Sequence, residues 1–259
     1  MKTSSQNNKE YDLPIYHDAR RYDDEYWWKK DDIEFWRSHY KKHVANSILE
    51  VACGTGRIGV PLAREHVKYH GLDISKEFLN TMQEKLDYNN LRATITHGDM
   101  RSFNLKTRFD FIFIGFNSLL HLLTDNDILS FLESIKLHCH ANTIFTIDVF
   151  VPHPLFLYRP QVRYPTMEYV DSETKEIISV EEISNYDSNT EINEITWFYS
   201  SSSQKDIKVY KYHMRMLYPD TINRLLMDSG FEILNMYGDY NYNEFTEESQ
   251  YQIYDCKIQ

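Results

Sequence analysis

The chain is short of the residues that punctuate or staple a fold. Its 259 residues hold only 8 glycines and 7 prolines, so no long flexible linker is expected to divide it. The 3 cysteines, Cys53, Cys139 and Cys256, are odd in number, widely spaced and form no C-x-x-C pair. Neither a disulfide framework nor a zinc site is suggested. His43, His138, His140 and His213 have no carboxylate or cysteine at metal-ligand spacing along the chain, and no metal is expected. Positive charge is also scarce: 28 Lys and Arg against 39 Asp and Glu give a formal net charge of −11. That disfavours a general nucleic-acid surface, which needs basic side chains to neutralise phosphates. No apolar run reaches membrane-spanning length. The first residues, "MKTSSQNNKEYDLPIYHDARRYDDEYWW", contain no apolar signal-peptide core. The expectation is a cytoplasmic, reducing setting, with no membrane and no nucleic acid as partner.

Aromatics and alternating textures are what the chain does have. Hydrophobic residues make up 42% and 20 residues are tyrosine, enough for a sizeable core and for either aromatic packing or an aromatic-lined ligand cavity. Residues 1–8 are polar and expected to fray. Asp31 is a candidate cap for a helix over "DIEFWRSHYKKH". Short β-rich runs then occur at Ser47–Ala52, Lys68–Leu72, Ala93–Thr96, Phe109–Gly115 and Thr143–Phe150. Helical patterns separate them at Gly59–Glu65, Lys76–Asn89 and Asp125–His138; the segment between Thr96 and Phe109 is too short for a normal helix. This alternation predicts an α/β fold with a doubly wound, mostly parallel sheet. After Pro152 the texture changes to strands parted by "DSET", "DSNT" and "SSSSQKD", an antiparallel meander of roughly four strands. "YPDTINRLLMDSGF" reads as a last helix stopped at Gly230, followed by the strands "FEILNMYGDY" and "YQIYDCKI".

The stretch "ILEVACGTGRIGV" raises the question of a ligand. Gly54, Gly56 and Gly59 spell G-x-G-x-x-G, which alone fits a dinucleotide site. Glu50 argues otherwise. A pyrophosphate is met by amide N–H groups at a helix N-terminus, whereas a carboxylate beside the loop suits a cationic ligand such as a sulfonium with an ammonium. Asp73, at the end of the second strand, is positioned to accept from both ribose hydroxyls. Asp99, after the third strand, is positioned to accept from an adenine amino group, with Met100 on the ring.

Together, "EVACGTGRIGVPLA", "YHGLDISKEFLNTM", "HGDMRSFNL" and "FDFIFIGFNSLLHLL" resemble class I S-adenosylmethionine-dependent methyltransferases over roughly residues 46–150. The chain is most similar to the small-molecule branch, which includes glycine N-methyltransferase and the aminosugar N-methyltransferases. The resemblance implies a Rossmann-like core at 46–155 that binds S-adenosylmethionine. It implies an N-terminal helical lid at 1–45 and an antiparallel β insert at 156–216, after the fifth strand, that forms an acceptor pocket or a dimer contact. Residues 217–259 would complete the core sheet with the final helix and β-hairpin. It further implies that Glu50, Ala52, Gly54 and Gly56 line the methionine part of the cofactor, Asp73 and Ile74 the ribose, Asp99 and Met100 the adenine, and that Phe116 and Asn117 flank the methyl group. A tyrosine ahead of the core would reach the cofactor carboxylate: Tyr22 is preferred among Tyr11, Tyr16, Tyr22, Trp27 and Trp28, with Arg20 and Arg21 as further partners.

The acceptor would be a small molecule methylated on nitrogen or oxygen. An amine must be neutral to attack, which calls for a base or a desolvated pocket. His121 is the first candidate base, because it follows the fourth strand at the ligand-bearing edge of an open α/β sheet. Asp148, at the end of the fifth strand, is the second. Tyr158, Arg163, Trp197, Arg215 and Tyr237 are candidates for the acceptor pocket; the two arginines would serve an acceptor bearing a carboxylate or phosphate. The competing readings are an NAD-dependent oxidoreductase, a tRNA- or protein-modifying methyltransferase, and a catalytically silent binding fold.

Overall fold

A computed structural model describes residues 13–259; Tyr11 and the tip at residues 1–8 lie outside the described residues. A 3₁₀ turn at Pro14–Tyr16 leads into helices α1 (Ala19–Glu25) and α2 (Asp31–Lys42). The core then alternates β1 (Ser47–Val51), α3 (Gly59–Ala63), β2 (Lys68–Asp73), α4 (Lys76–Tyr88), β3 (Thr94–His97), β4 (Phe109–Ile114), α5 (Asp125–Leu137) and β5 (Cys139–Phe150). No helix joins β3 to β4, as the short spacing requires. A brief helix α6 (Pro154–Leu157) precedes β6 (Tyr164–Val170), β7 (Ile177–Asp187), β8 (Ile192–Ser201) and β9 (Lys208–Arg215). The chain closes with α7 (Pro219–Asp228), β10 (Phe231–Tyr237) and β11 (Tyr251–Ile258).

Two sheets result. The first has 7 strands in the order β10-β11-β5-β4-β1-β2-β3. Its pairs from β3 to β5 are parallel, and β11 runs antiparallel to both its neighbours. The second is the 4-stranded antiparallel meander β6-β7-β8-β9. β4 shows how the sequence builds the core. "FDFIFI" is apolar almost throughout because a parallel strand in the middle of a doubly wound sheet is covered on both faces. Alternation sends Phe111 and Phe113 to one side, with Trp36 of α2, Leu62 of α3 and Met82 of α4, and Ile112 and Ile114 to the other, with Phe131 of α5 and Leu225 of α7.

The helices carry matching stripes. In α5, Ile128, Phe131, Leu132 and Ile135 are buried, and Thr124 caps the first turn by accepting from the Asp127 N–H at 3.1 Å. In α4 the cap is Ser75, accepting from the Phe78 N–H at 3.2 Å. Asp31 is not the cap of α2. It is the first helical residue, and its carboxylate pairs with Lys29 at 2.8 Å, which suits an acid at the positive end of a helix. Gly230 ends α7 with φ +76, a backbone state in which a side chain would be strained. Cys53, Cys139 and Cys256 are all buried and free. No helix of the described residues is long and apolar enough to cross a membrane.

Sequence spacing hid the company that the histidines keep. In space, His140 lies 3.0 Å from Asp110, and His213 lies 3.4 Å from Glu194. His39, His43 and Asp255 converge so that one potential ligand atom from each lies within 4.8 Å of the others. His39 Nε2 is 2.7 Å from Asp255 Oδ1, and the Thr146 hydroxyl donates to the same oxygen at 2.8 Å. Burial raises the Asp255 carboxyl, but the His39 and Thr146 hydrogen bonds and the His43 ring 3.6 Å away outweigh it and hold the group well below the usual carboxylate range. This fully buried network ties α2 to β5 and β11. Asp255→Ala is expected to cost about 3–5 kcal/mol by stranding the partners of a buried charge, and Thr146→Val about 1 kcal/mol for one bond. Urea denaturation followed by circular dichroism measures both; equal small losses would show that Asp255 is not ionised.

Candidate functional site

The strand order reverses between β1 and β4, so the loops that follow them diverge and leave a crevice at their carboxyl ends. The inward face of the second sheet stands over that crevice. Between them lies a cavity of about 310 Å³, within the size range of small-molecule sites.

The loop after β1 is left-handed at Ala52 (φ 58) and Gly54 (φ 57), and both residues line the cavity. Asp73, the last residue of β2, accepts from the Gly54 N–H at 2.7 Å and the Ser75 N–H at 2.8 Å. These bonds use one site on each oxygen, and a carboxylate has about four. Burial raises the Asp73 carboxyl above its ordinary value, against the pull of these N–H groups. Asp99, beyond β3, is held by the Arg101 guanidinium at 2.6 Å, and Arg101 also reaches Asp127 at 2.9 Å. Ile74 and Met100 line the cavity beside the two acids.

The loop after β4 forms the facing edge. Phe116 (φ 53) and Asn117 (φ 65) are left-handed although neither is glycine, a conformation that costs about 1–2 kcal/mol. β5 holds them in it: the Phe116 N–H donates to Asp148 Oδ2 at 3.0 Å, and Asn117 Oδ1 accepts from the Phe150 N–H at 2.8 Å. Strain retained in this way marks functional loops. A 3₁₀ turn, Ser118–His121, carries His121 into the cavity. His121 Nε2 stands 2.8 Å from the Tyr16 hydroxyl. Burial lowers its pKa to about 4, so the ring is neutral across the physiological range. Burial likewise raises the phenols of Tyr16 and Tyr212 far above neutrality, and both keep their protons.

The N-terminal segment and the second sheet close the cavity. Tyr22 lines it and packs against Phe78 and Tyr26, with ring centroids 4.9 Å and 4.8 Å away. The hydroxyls of Tyr22, Tyr26 and Tyr212 make no hydrogen bond among the described residues, which leaves three polar groups at the cavity wall for a ligand. From the sheet come Glu182 of β7 and Trp197 of β8, cross-strand partners joined by Trp197 Nε1–H donating to Glu182 Oε2 at 2.8 Å.

Among the residues singled out from sequence, the cavity gathers Tyr22, Ala52, Gly54, Asp73, Ile74, Asp99, Met100, Phe116, Asn117, His121 and Trp197. Several others lie outside its lining. Glu50 sits behind the glycine loop, where Tyr69 donates to it at 2.5 Å. Burial pushes its carboxyl up to about 8, which favours the protonated form at neutral pH. Gly56 is needed for packing, since a Cβ there would stand 2.8 Å from Met82 Cγ. Gly59 is the same: a Cβ would meet the Tyr69 hydroxyl at 2.2 Å. Asp148 lies under the Phe116 turn, which it braces with help from the Tyr240 hydroxyl at 3.1 Å.

The polar candidates from the insert are already paired. Arg163 forks Asp206 at 2.7 and 3.0 Å. Arg215 reaches Asp125 at 2.6 Å and Glu191 at 3.3 Å. Tyr158 is exposed and packs edge-on to Tyr186. Tyr237 accepts from Lys42 on the other side of the core. In the N-terminal segment, Arg20 pairs with Asp171 and Glu173, Arg21 with Glu25 and Tyr199, and Trp27 and Trp28 are exposed. Sequence reasoning missed Glu182, Tyr26 and Tyr212. For Glu182 a signal existed: Ile178, Val180 and Glu182 share one parity, which puts a carboxylate on the apolar face.

Comparison with known proteins gives three findings. Residues 48–141 match the family described as "Methyltransferase domain". Over 112 residues the chain is 32% identical to dTDP-3-amino-3,6-dideoxy-alpha-D-glucopyranose N,N-dimethyltransferase of Streptomyces fradiae, covering 43% of this chain and 42% of that protein. In fold it is similar to the CcbJ methyltransferase from Streptomyces caelestis, with a TM-score of 0.76 at 20% identity, covering 94% of this chain and 96% of that one. It is also similar to SAM-bound CalS10, an amino pentose methyltransferase from Micromonospora echinaspora, with a TM-score of 0.67 at 14% identity, covering 90% and 93%.

The Glu50 carboxyl gives a pH test of the loop. Its folded value of about 8 lies above the ordinary 4.5. Between those values the folded chain holds a proton that the unfolded chain has lost, so stability falls as pH rises through the window. Glu50→Gln has no proton to lose. It is expected to match the wild type at pH 5 and to exceed it by roughly 2–4 kcal/mol at pH 9 in urea denaturation. A difference independent of pH would show that Glu50 is already ionised in the folded chain.

Proposed function

Taking as premise that residues 48–141 are a methyltransferase domain, we propose that the chain moves a methyl group from S-adenosylmethionine to a nitrogen atom of a small molecule. The observation that carries this reading is one cavity with two chemically distinct ends. Asp73 and Asp99, at the ends of β2 and β3, mark the first; His121, Tyr16 and the inward face of the second sheet mark the other. The aminosugar enzymes among the similar proteins support an amine acceptor.

The residues present fit the cofactor. Asp73 keeps acceptor sites for two ribose hydroxyls, and Ile74 packs beside it. Asp99 and Met100 suit the adenine. Ala52 and Gly54, with their backbone turned left-handed, and the unpaired Tyr22 hydroxyl suit the methionine part, and Phe116 and Asn117 flank the reacting carbon. When bound, S-adenosylmethionine supplies a methyl carbon activated by a positively charged sulfur. The chain's own work is alignment and exclusion of water, which can supply on the order of 7–11 kcal/mol of a displacement barrier. That carbon would pass to the lone pair of the acceptor nitrogen with the carbon–sulfur electrons leaving on sulfur as S-adenosylhomocysteine, and the proton of the methylated nitrogen would go to solvent as product leaves.

His121 favours nitrogen over oxygen. With a pKa of about 4, the ring is too weak a base to strip a hydroxyl. An amine needs less: a desolvated cavity disfavours its charged form and admits the neutral one. His121 and Tyr16 then offer one hydrogen-bond donor and one acceptor to orient it. Glu50 and Gly56 act on this site only by holding the loop, and Asp148 only by bracing the turn after β4.

Asp73→Ala is expected to weaken S-adenosylmethionine binding about 100-fold in calorimetry, through two lost charged hydrogen bonds. His121→Ala is expected to lower turnover and leave that affinity nearly unchanged; equal loss of both would make His121 scaffold. In a coupled assay of S-adenosylhomocysteine release, kcat/KM is expected to rise with pH towards the acceptor's own ammonium pKa, with no inflection between pH 6 and 7. An inflection there would show His121 titrating in a wetter site than the one described.

A further inference from the structure

The charge inventory of the cavity speaks to what the acceptor carries besides its nitrogen. Three carboxylates line it, Asp73, Asp99 and Glu182, and among the described lining residues there is no lysine or arginine. Asp73 and Asp99 stand at the donor end. Glu182 stands on the inward face of β7, almost fully buried.

Glu182 is built into its place. One oxygen accepts from Arg159, whose guanidinium is itself sandwiched by the rings of Phe156 and Tyr164 at 4.5 Å each. The other accepts from Trp197. About half of the carboxylate's acceptor sites remain. A wall of rings runs from there to the reacting end: Trp197 packs edge-on to Tyr212 at 5.7 Å, and Tyr212 lies 6.3 Å from His121. Ile195, Met214 and Met216 fill in around it. Arg159 is the counter-charge of Glu182 itself and does not line the cavity, while Arg163 and Arg215 are held by other carboxylates, so no guanidinium of the insert is left to meet an anion in the cavity.

Resting on the methyltransferase reading, we propose that this wall selects amines with no phosphate or carboxylate group, and that Glu182 is the residue that sets the selection. Glu182 accepts hydrogen bonds from N–H or O–H groups of the acceptor, and offers no donor to an anion brought to the same place. An acceptor linked to a nucleoside diphosphate is thereby excluded, and its free counterpart admitted.

The test uses two pairs of probes, each differing by an anionic group: the methyl glycoside of 3-amino-3-deoxyglucose against the dTDP-linked sugar, and tyramine against tyrosine. Calorimetry measures their binding to the full chain loaded with S-adenosylhomocysteine, and product release measures turnover. In at least one pair the uncharged-body member is expected to bind about tenfold or more tightly than its anionic partner. Glu182→Gln leaves Arg159 without its counter-charge, and is expected to erase or reverse that preference while S-adenosylmethionine affinity stays unchanged. Equal or tighter binding of the anionic members overturns the proposal. So does a preference that survives Glu182→Gln, and so does failure of all four probes to bind the loaded chain. Should the variant not fold, the wild-type comparison still decides. Failure of S-adenosylmethionine itself to bind would instead remove the methyltransferase reading.

Discussion

Two carboxylates hold two left-handed turns, and the rest of the site depends on that arrangement. Asp73 ends β2 and takes the Gly54 N–H from the turn after the neighbouring β1. Asp148, near the end of β5, takes the Phe116 N–H from the turn after the neighbouring β4. Each acid fixes a strained loop on the adjacent strand, on opposite sides of the point where the strand order reverses. Between the loops lies the cavity. The two acids differ in what remains to them. Asp73 also faces the cavity; Asp148 lies beneath it, and burial pushes its carboxyl up to about 6. The same device therefore leaves a carboxylate facing the cavity on one side and gives support alone on the other.

The second sheet and the N-terminal segment convert this open crevice into an enclosed one. Arg21, buried in α1, binds Glu25, the Tyr199 hydroxyl of β8 and the Ile15 carbonyl. Asp23 receives the Thr55 hydroxyl at 2.6 Å and Lys85 at 2.8 Å from the core. The Tyr16 carbonyl accepts from Ser75 at 2.8 Å. The segment is thus stitched to both sheets at once, and the tyrosines it carries are positioned by polar contacts made elsewhere along it.

Much of the fold was legible because its signals are local. β4 is an unbroken apolar run, the helices carry stripes of period 3.6, and turn residues part the strands of the second sheet. The place of Asp73, Asp99 and His121 at the cavity was legible because strand ends on that edge of the sheet follow from the topology alone. What failed was local in chain but not in space. Glu50 shares its parity with buried Ile48, yet its neutralisation follows from burial by neighbouring segments, against the pull of the Tyr69 hydroxyl on β2. Asp148 looked like a free acid at a strand end until the turn after β4 was seen to use it. Arg163 and Arg215 looked available because Asp206, Glu191 and Asp125, which pair with them, lie on other segments. Glu182 escaped because "SVEEISN" shows two adjacent acids, and only the strand's parity tells the inward one from the outward one.

Glu50 has one more implication, for the range in which such a protein can operate. The chemistry argued for the cavity favours alkaline solution, where amines are free of their proton. The loop beside the cavity favours the opposite, because the gain from its buried, protonated carboxyl is complete in acid and is lost as pH climbs to about 8. Reactivity and integrity therefore pull in contrary directions across the neutral range, and above it the loop adds no further loss.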